Sequence, residues 1–111
     1  MNNVAIGKSR IGQFSSGKGV FANKDLKKGD VVIRYHLNPL TQEQCNNLPE
    51  SEKEFTHVHW GKAYLYSEPE RYVNHSADPN TYQDLERKLD IALRDIKKGE
   101  EITTDATQDE I

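Results

Sequence analysis

A ten-residue pattern occurs twice in this chain, and it limits the possible folds more than any other feature. Ala22-Asn23-Lys24-Asp25-Leu26-Lys27-Lys28-Gly29-Asp30-Val31 is matched by Ala92-Leu93-Arg94-Asp95-Ile96-Lys97-Lys98-Gly99-Glu100-Glu101. Each copy reads as a strand end, a one-turn excursion, a glycine able to take positive φ, and a new strand. Leu26 and Ile96 are the residues each excursion would bury, with the lysines left in water. The two ends of the chain are therefore built alike, in a strand-and-turn manner. The repeat by itself points to no activity.

The rest of the chain agrees with that reading. Val31–Tyr35 is rich in β-branched residues; Phe55–His59 and Ala63–Tyr66 flank Trp60-Gly61-Lys62 as a hairpin. Leu89–Leu93 alternates apolar and polar, and Glu101–Thr104 makes a last short strand. One helix is expected at Gln42–Asn47, with Thr41 as N-cap, Gln44 as its capping-box partner and Pro49 as the stop. Hydrophobic residues make up 34% of 111 residues and charged residues 30%. One domain of this size buries roughly 60–70% of its unfolded surface, and short strands suit so thin a core better than a helical bundle.

Lys and Arg number 15 against 18 Asp and Glu, a net charge of −3 without a cationic cluster in the sequence. Direct nucleic-acid binding is therefore not expected, while a mildly acidic surface tolerates a basic peptide. The single Cys45 excludes an internal disulfide and any cysteine-built zinc cage. Residues 1–12 lack the apolar run of a signal peptide, and no stretch suits a membrane span. The expectation is a soluble, intracellular protein of cytoplasm or nucleus, with no membrane partner.

Three segments can carry chemistry. In Ser16–Ala22 two glycines, Gly17 and Gly19, let backbone approach a ligand, although no third glycine opens a helix as a dinucleotide site would need. In Arg71–Asn80 two apolar positions run into Asn74-His75-Ser76 and a Pro79-Asn80 turn. An Asn amide both donates and accepts and can read an adenine edge, while His75 can fix the local backbone; the same composition also suits a plain surface loop. Gly99–Ala106 is, taken alone, a turn and an edge strand. His57, His59 and His75 lack a carboxylate or cysteine at ligand spacing, so no metal site is expected. Ser16 and Ser76 have no nucleophile-elbow context. The acidic tail Asp105–Ile111 reads as a frayed end and not as a site.

Taken in order, GKGVFA (17–22), RYVNHSADPN (71–80) and RDIKKGEEITTDA (94–106) resemble the motifs of the SET-domain protein-lysine methyltransferases. The resemblance runs from about Ile11 to Thr107 and is greatest to the small stand-alone SET proteins of viruses and microbes. It implies a mainly β, SET-type fold of small curved sheets with one or two short helices. It also implies a C-terminal segment threaded beneath the Asn-His segment as a pseudoknot. Residues 1–111 would form one SET domain without pre-SET or post-SET zinc modules. The implied cofactor is S-adenosylmethionine, lined by the backbone of Lys18, Gly19 and Val20 and met from the other side by Tyr72, Asn74 and His75. The implied partner is a protein or peptide lysine, histone-like or otherwise basic, entering from the opposite face through a channel lined by Thr104 and Ala106.

The chain departs from the family at that channel. The family motif ends in Asp-Tyr, whose tyrosine is the usual catalytic hydroxyl, and here the position is Ala106. Thr104 stands where many members carry Phe or Tyr, and no tyrosine follows Tyr82. Three readings stand side by side. Tyr66 or Tyr64 supplies the catalytic hydroxyl from another wall; the protein binds cofactor or peptide without turnover; or Ala106 replaces a natural tyrosine.

Overall fold

The computed structural model describes residues 3–11, 17–36, 38–53, 55–59 (without the His59 side chain) and 61–105. Among the described residues ten short strands form three small sheets. In chain order they are β1 (Val4–Lys8), β2 (Lys18–Ala22), β3 (Val31–Arg34), β4 (Asn38–Leu40), β5 (Thr56–His59), β6 (Lys62–Leu65), β7 (Asn74–His75), β8 (Thr81–Asp84), β9 (Leu89–Ala92) and β10 (Glu101–Thr104). Two short helices, α1 (Gln42–Asn46) and α2 (Glu50–Lys53), lie between β4 and β5, and a 3-10 turn covers Glu70–Tyr72. The sheets run β1-β2-β10-β7, β3-β9-β8 and β4-β6-β5. Among the described residues no helix is long and apolar enough to cross a membrane.

The expected elements are present, with small shifts. The last strand has the expected bounds, and the helix keeps its capping box: Thr41 Oγ1 accepts from Gln44 N–H (3.1 Å) and Gln44 Oε1 from Thr41 N–H (2.8 Å). Strand β6 starts one residue early and leaves Tyr66 beyond its end. The glycine-rich segment 17–22 is mostly the central strand β2, with Gly17 ahead of it at φ +70°. Pro49 does not merely stop α1, because its carbonyl accepts from Glu52 N–H (2.9 Å) and so opens α2.

The repeated decapeptides do more than resemble each other. They bond to each other with near two-fold reciprocity. Leu26 N–H donates to Ile96 O (2.7 Å) and Ile96 N–H to Leu26 O (2.8 Å). Gly29 N–H reaches Ala92 O (2.9 Å) while Gly99 N–H reaches Ala22 O (2.8 Å). Lys28 N–H is capped by Asp95 Oδ1 and Lys98 N–H by Asp25 Oδ1, both at 2.9 Å. Gly29 and Gly99 take φ +90° and +92°, the left-handed region glycine enters without strain. Leu26 and Ile96 are buried at the centre of this clasp and join a core with Val4, Val20, Val32 and Ile102.

The last strand passes between two others. It pairs antiparallel with β2 at Glu101↔Phe21 and Ile102↔Val20, then parallel with β7 at Thr103↔Asn74 and Thr104↔His75. Asn80 and Thr81 hold it from further along the chain: Asn80 Nδ2 donates to Glu101 O (2.8 Å) and Thr81 Oγ1 to Thr103 O (2.8 Å). The last strand thus lies beside the Asn-His segment, between β2 and β7.

Candidate functional site

Where β10 leaves β2 for β7 the sheet forks, and the motif segments meet at that fork. Lys18 and Gly19 pair with β1 but have no β10 partner in the register. Asn74 fills the gap with none of its surface exposed. Its Nδ2, with two protons to give, has three acceptors in reach: Glu101 Oε2 (2.8 Å), Ser9 Oγ (3.0 Å) and Lys18 O (3.3 Å). Ser9 Oγ also takes the Ile11 N–H (3.0 Å) and donates to the Glu101 carboxylate, whose oxygens lie at 2.9 and 2.8 Å. Asn74 Oδ1 is buried without a hydrogen-bond partner among the described residues.

The two glycines of the first motif have different tasks. A Cβ on Gly17 would meet nothing within 4 Å, so its φ alone calls for glycine. A Cβ on Gly19 would stand 2.6 Å from Glu101 Oε2 and 2.8 Å from Ser9 Cβ. Gly19 thus makes room for protein atoms, a reason other than the expected approach of backbone to a ligand.

The remaining expected cofactor residues lie around this fork. Lys18 is exposed, and its ammonium sits 5.2 Å from the centroid of the buried Tyr72 ring. Val20 is a core side chain whose Cα is in register with both Ile6 and Ile102. His75 is half-buried, with Nδ1 3.7 Å from Asp105 Oδ1. Arg71 anchors the start of the segment: its Nε donates to Tyr66 O (2.9 Å), and Nη1 pairs with Glu52 Oε2 at 2.9 Å. A cavity of about 410 Å³ lined by Ile6, Gly7, Lys8, Gly17 and Lys18 opens along β1 and β2 beside the fork. A cavity of about 430 Å³ lies along β3 by His36 and Pro69 and holds none of the motif residues.

Of the two residues expected to line a channel, Thr104 is buried and its Oγ1 has no hydrogen-bond partner among the described residues. Ala106 and the tail through Ile111 lie outside the described residues, as do Ser16 and Trp60. Tyr66 is 2% exposed, stacked on His57 at 4.0 Å between centroids and tilted against Tyr35 at 5.5 Å. Tyr64 is only half-buried in β6, in register with His57 and Pro39. The two candidate tyrosines therefore sit in different environments.

Sequence reasoning missed a buried acid group behind this aromatic wall. The Tyr35 hydroxyl donates to Asp90 Oδ1, and Asp90 has no exposed surface. Burial pushes the Asp90 carboxyl up to about 7 and nearby Glu70 adds to the rise, while the Tyr35 bond opposes it. Burial, with Asp90 beside it, also pushes the Tyr35 phenol up. Burial raises the Glu70 carboxyl too, although the backbone N–H and ring of His36 bond to it. Ser9 and Glu101 were likewise missed; their signal is a serine before the glycine motif and a carboxylate inside the third.

The model of the SET domain matches residues 17–105 of this chain. Human histone-lysine N-methyltransferase 2D is 34% identical over 119 residues, covering 94% of this chain. The H3 lysine-4 specific histone-lysine N-methyltransferase of Schizosaccharomyces pombe is 32% identical over 106 residues, covering 78%. This chain spans 2% and 11% of those relatives' lengths. Among solved structures, a Plasmodium falciparum chain assigned as a histone methyltransferase superposes with a TM-score of 0.71 at 22% identity, covering 95% of this chain and 93% of that one. The Chaetomium thermophilum Polycomb Repressive Complex 2, in an autoinhibited conformation bound to S-adenosylmethionine, superposes at 0.67 and 23% identity. That match covers 94% of this chain and 15% of the other. At these identities the two structures bear on the fold.

Proposed function

Because the chain belongs to the SET-domain family of protein-lysine methyltransferases, we propose that it holds S-adenosylmethionine at the β10 fork and methylates the ε-amine of a lysine in a basic protein, histones first among the candidates. The observation that carries this reading is the meeting of Lys18–Gly19, Asn74–His75 and Glu101–Thr104 at one fork beside a cavity. The residues fit the cofactor. Asn74 Oδ1 is a buried acceptor awaiting a donor, the Lys18 ammonium can meet a carboxylate, and Tyr72 is an aromatic surface at the same place. Lys18, Gly19, Tyr72, Asn74 and His75 would hold it, with Val20 supporting from the core.

When bound, S-adenosylmethionine supplies a methyl group on a sulfonium, open to in-line displacement by a neutral amine. The chain's own task is to bring that amine in deprotonated and aligned. A free lysine amine ionises near pKa ~10.4, so taking it out of water is the main lever against its proton. Tyr66, in its buried aromatic wall, is our candidate for the hydroxyl that orients the amine, with Tyr64 second. Thr104 adds a buried hydroxyl. Losing one positioned donor costs on the order of 10²–10³ in rate, which is the deficit Ala106 leaves for these groups to offset.

Ala106 favours a second reading, a module that binds cofactor or a lysine peptide without turnover. Labelled S-adenosylmethionine with histones and mixed basic proteins separates the two. Slow transfer is expected, faster by at least ~10-fold in Ala106→Tyr and slower in Tyr66→Phe. Calorimetric binding of S-adenosylmethionine and S-adenosylhomocysteine with no transfer by either protein selects the second reading. No binding of either compound sinks the cofactor reading.

A further inference from the structure

We propose that the clasp formed by the two decapeptides is a docking surface for duplex DNA, with Lys27 and Lys28 on the phosphates of one DNA strand and Lys97 and Lys98 on those of the other. The clasp lies at the other end of β2 from Lys18 and Gly19 and owes nothing to the cofactor reading above.

No cationic cluster shows in the sequence because each turn alone is modest. Residues 24–30 carry three lysines and two aspartates; residues 94–100 carry Arg94, Lys97 and Lys98 with two carboxylates. The reciprocal bonds between Leu26 and Ile96 make the turns one surface, since such a pair sets its Cα atoms about 5.5 Å apart. Six cations then meet four carboxylates in one place, on a chain whose net charge is −3.

The fold also treats the two signs differently. All four carboxylates are tied to backbone. Asp30 Oδ2 accepts from Lys27 N–H and Asp95 Oδ1 from Lys28 N–H, both at 2.9 Å. In the other turn Glu100 Oε1 accepts from Lys97 N–H (3.3 Å) and Asp25 Oδ1 from Lys98 N–H (2.9 Å). Glu100 also holds Arg94, at 3.1 Å. Lys24, Lys27, Lys28, Lys97 and Lys98 are all exposed and have no ion-pair partner among the described residues. Their flexible stems leave the ammonium groups in water, free to meet an anion.

What this surface binds follows from what it withholds. Leu26 and Ile96 are buried, so the two turns present no apolar anchor. The N–H groups of residues 26–30 and 96–100 are all bonded within the fold, so no backbone edge is left to pair with a peptide. Lysine ammoniums remain, and these bind phosphate as point charges. Their arrangement selects a duplex. The two Lys-Lys pairs share the two-fold reciprocity of the bonds between the turns, and the two backbones of a double helix are related by two-fold axes as well. One pair can therefore serve each backbone.

The test is fluorescence anisotropy of a labelled DNA duplex of about 20 base pairs, titrated with the chain in salt from about 25 to 200 mM. Affinity is expected to fall with rising salt at a log–log slope of about −3 to −4, as four phosphate contacts require. Lys27→Gln and Lys97→Gln, from opposite turns, should each weaken binding about fivefold at the lowest salt and flatten the slope by about one. Both keep the backbone N–H that a carboxylate caps; should melting show one of them unfolded, the other decides. Lys53→Gln and Lys62→Gln change the net charge equally, away from the clasp, and should stay within about twofold of wild type. An equal loss in these two would mean that DNA senses only total charge, which overturns the proposal. So does absence of binding at the lowest salt, or binding as tight to the single strand, to poly-glutamate or to vesicles of phosphatidylserine and phosphatidylcholine. The measurement uses no S-adenosylmethionine, so its failure leaves the cofactor reading untouched.

Discussion

At Asp90, burial and hydrogen bonding pull in opposite directions, and burial wins. Its carboxyl is raised from an ordinary value of 3.8 to about 7. Below pH ~4 the group is protonated in folded and unfolded chains alike and has no effect on the balance. Between pH ~4 and ~7 the unfolded chain gives up this proton while the folded chain keeps it, so stability falls as pH rises through that window and the loss is complete above it. Asp90→Asn keeps an acceptor for the Tyr35 hydroxyl and removes the titration. Denaturant unfolding across pH should show the variant gaining on wild type from pH ~4 to ~7 by on the order of a few kcal/mol, with a flat difference beyond. A constant difference over the whole range would show that Asp90 stays ionised in the fold. None of this was legible in the sequence. Leu89-Asp90-Ile91-Ala92 alternates as a strand with one wet face, yet all four residues are buried because β9 is central and covered on both sides. Asn74 and His75 stood out only through the order of the three motifs, since the Asn-His-Ser run alone suits a plain surface loop as well.

Elements whose ends are set by local chemistry were readable, and those set by distant partners were not. The α1 cap is a contact three residues long, and it formed as read. Strand β2 was not readable because what makes it a strand is β1 on one side and the distant β10 on the other. The β5–β6 hairpin slipped by a residue at each start, as pairing, not composition, fixes where a strand begins. Helix α1 buries no residue, so its cap is most of what holds it. Thr41→Ala is expected to cost about 1 kcal/mol locally. Amide exchange should quicken at Gln44 and Cys45 while the global melting temperature moves little; a drop of many degrees would mean that α1 is coupled to the core.

For the molecule as a whole, the two decapeptides act as one clasp. Leu26→Ala and Ile96→Ala each remove a buried side chain at its centre, for an expected loss of about 2–5 kcal/mol in denaturant unfolding. The double variant should lose less than the sum, because each single change already opens the shared site. Strict additivity would show two separate turns that merely lie close. The clasp has a further consequence for the way such a chain is made. On a ribosome, the Leu26 turn emerges about seventy residues before the Ile96 turn that completes it, and β2 waits as long for β10. Until then the growing polypeptide has a strand with a bare edge and a turn whose hydrogen-bonding groups face water. Folding is thus deferred until the Ile96 turn and β10 have emerged, and the interval before it is the one in which a chaperone has something to hold.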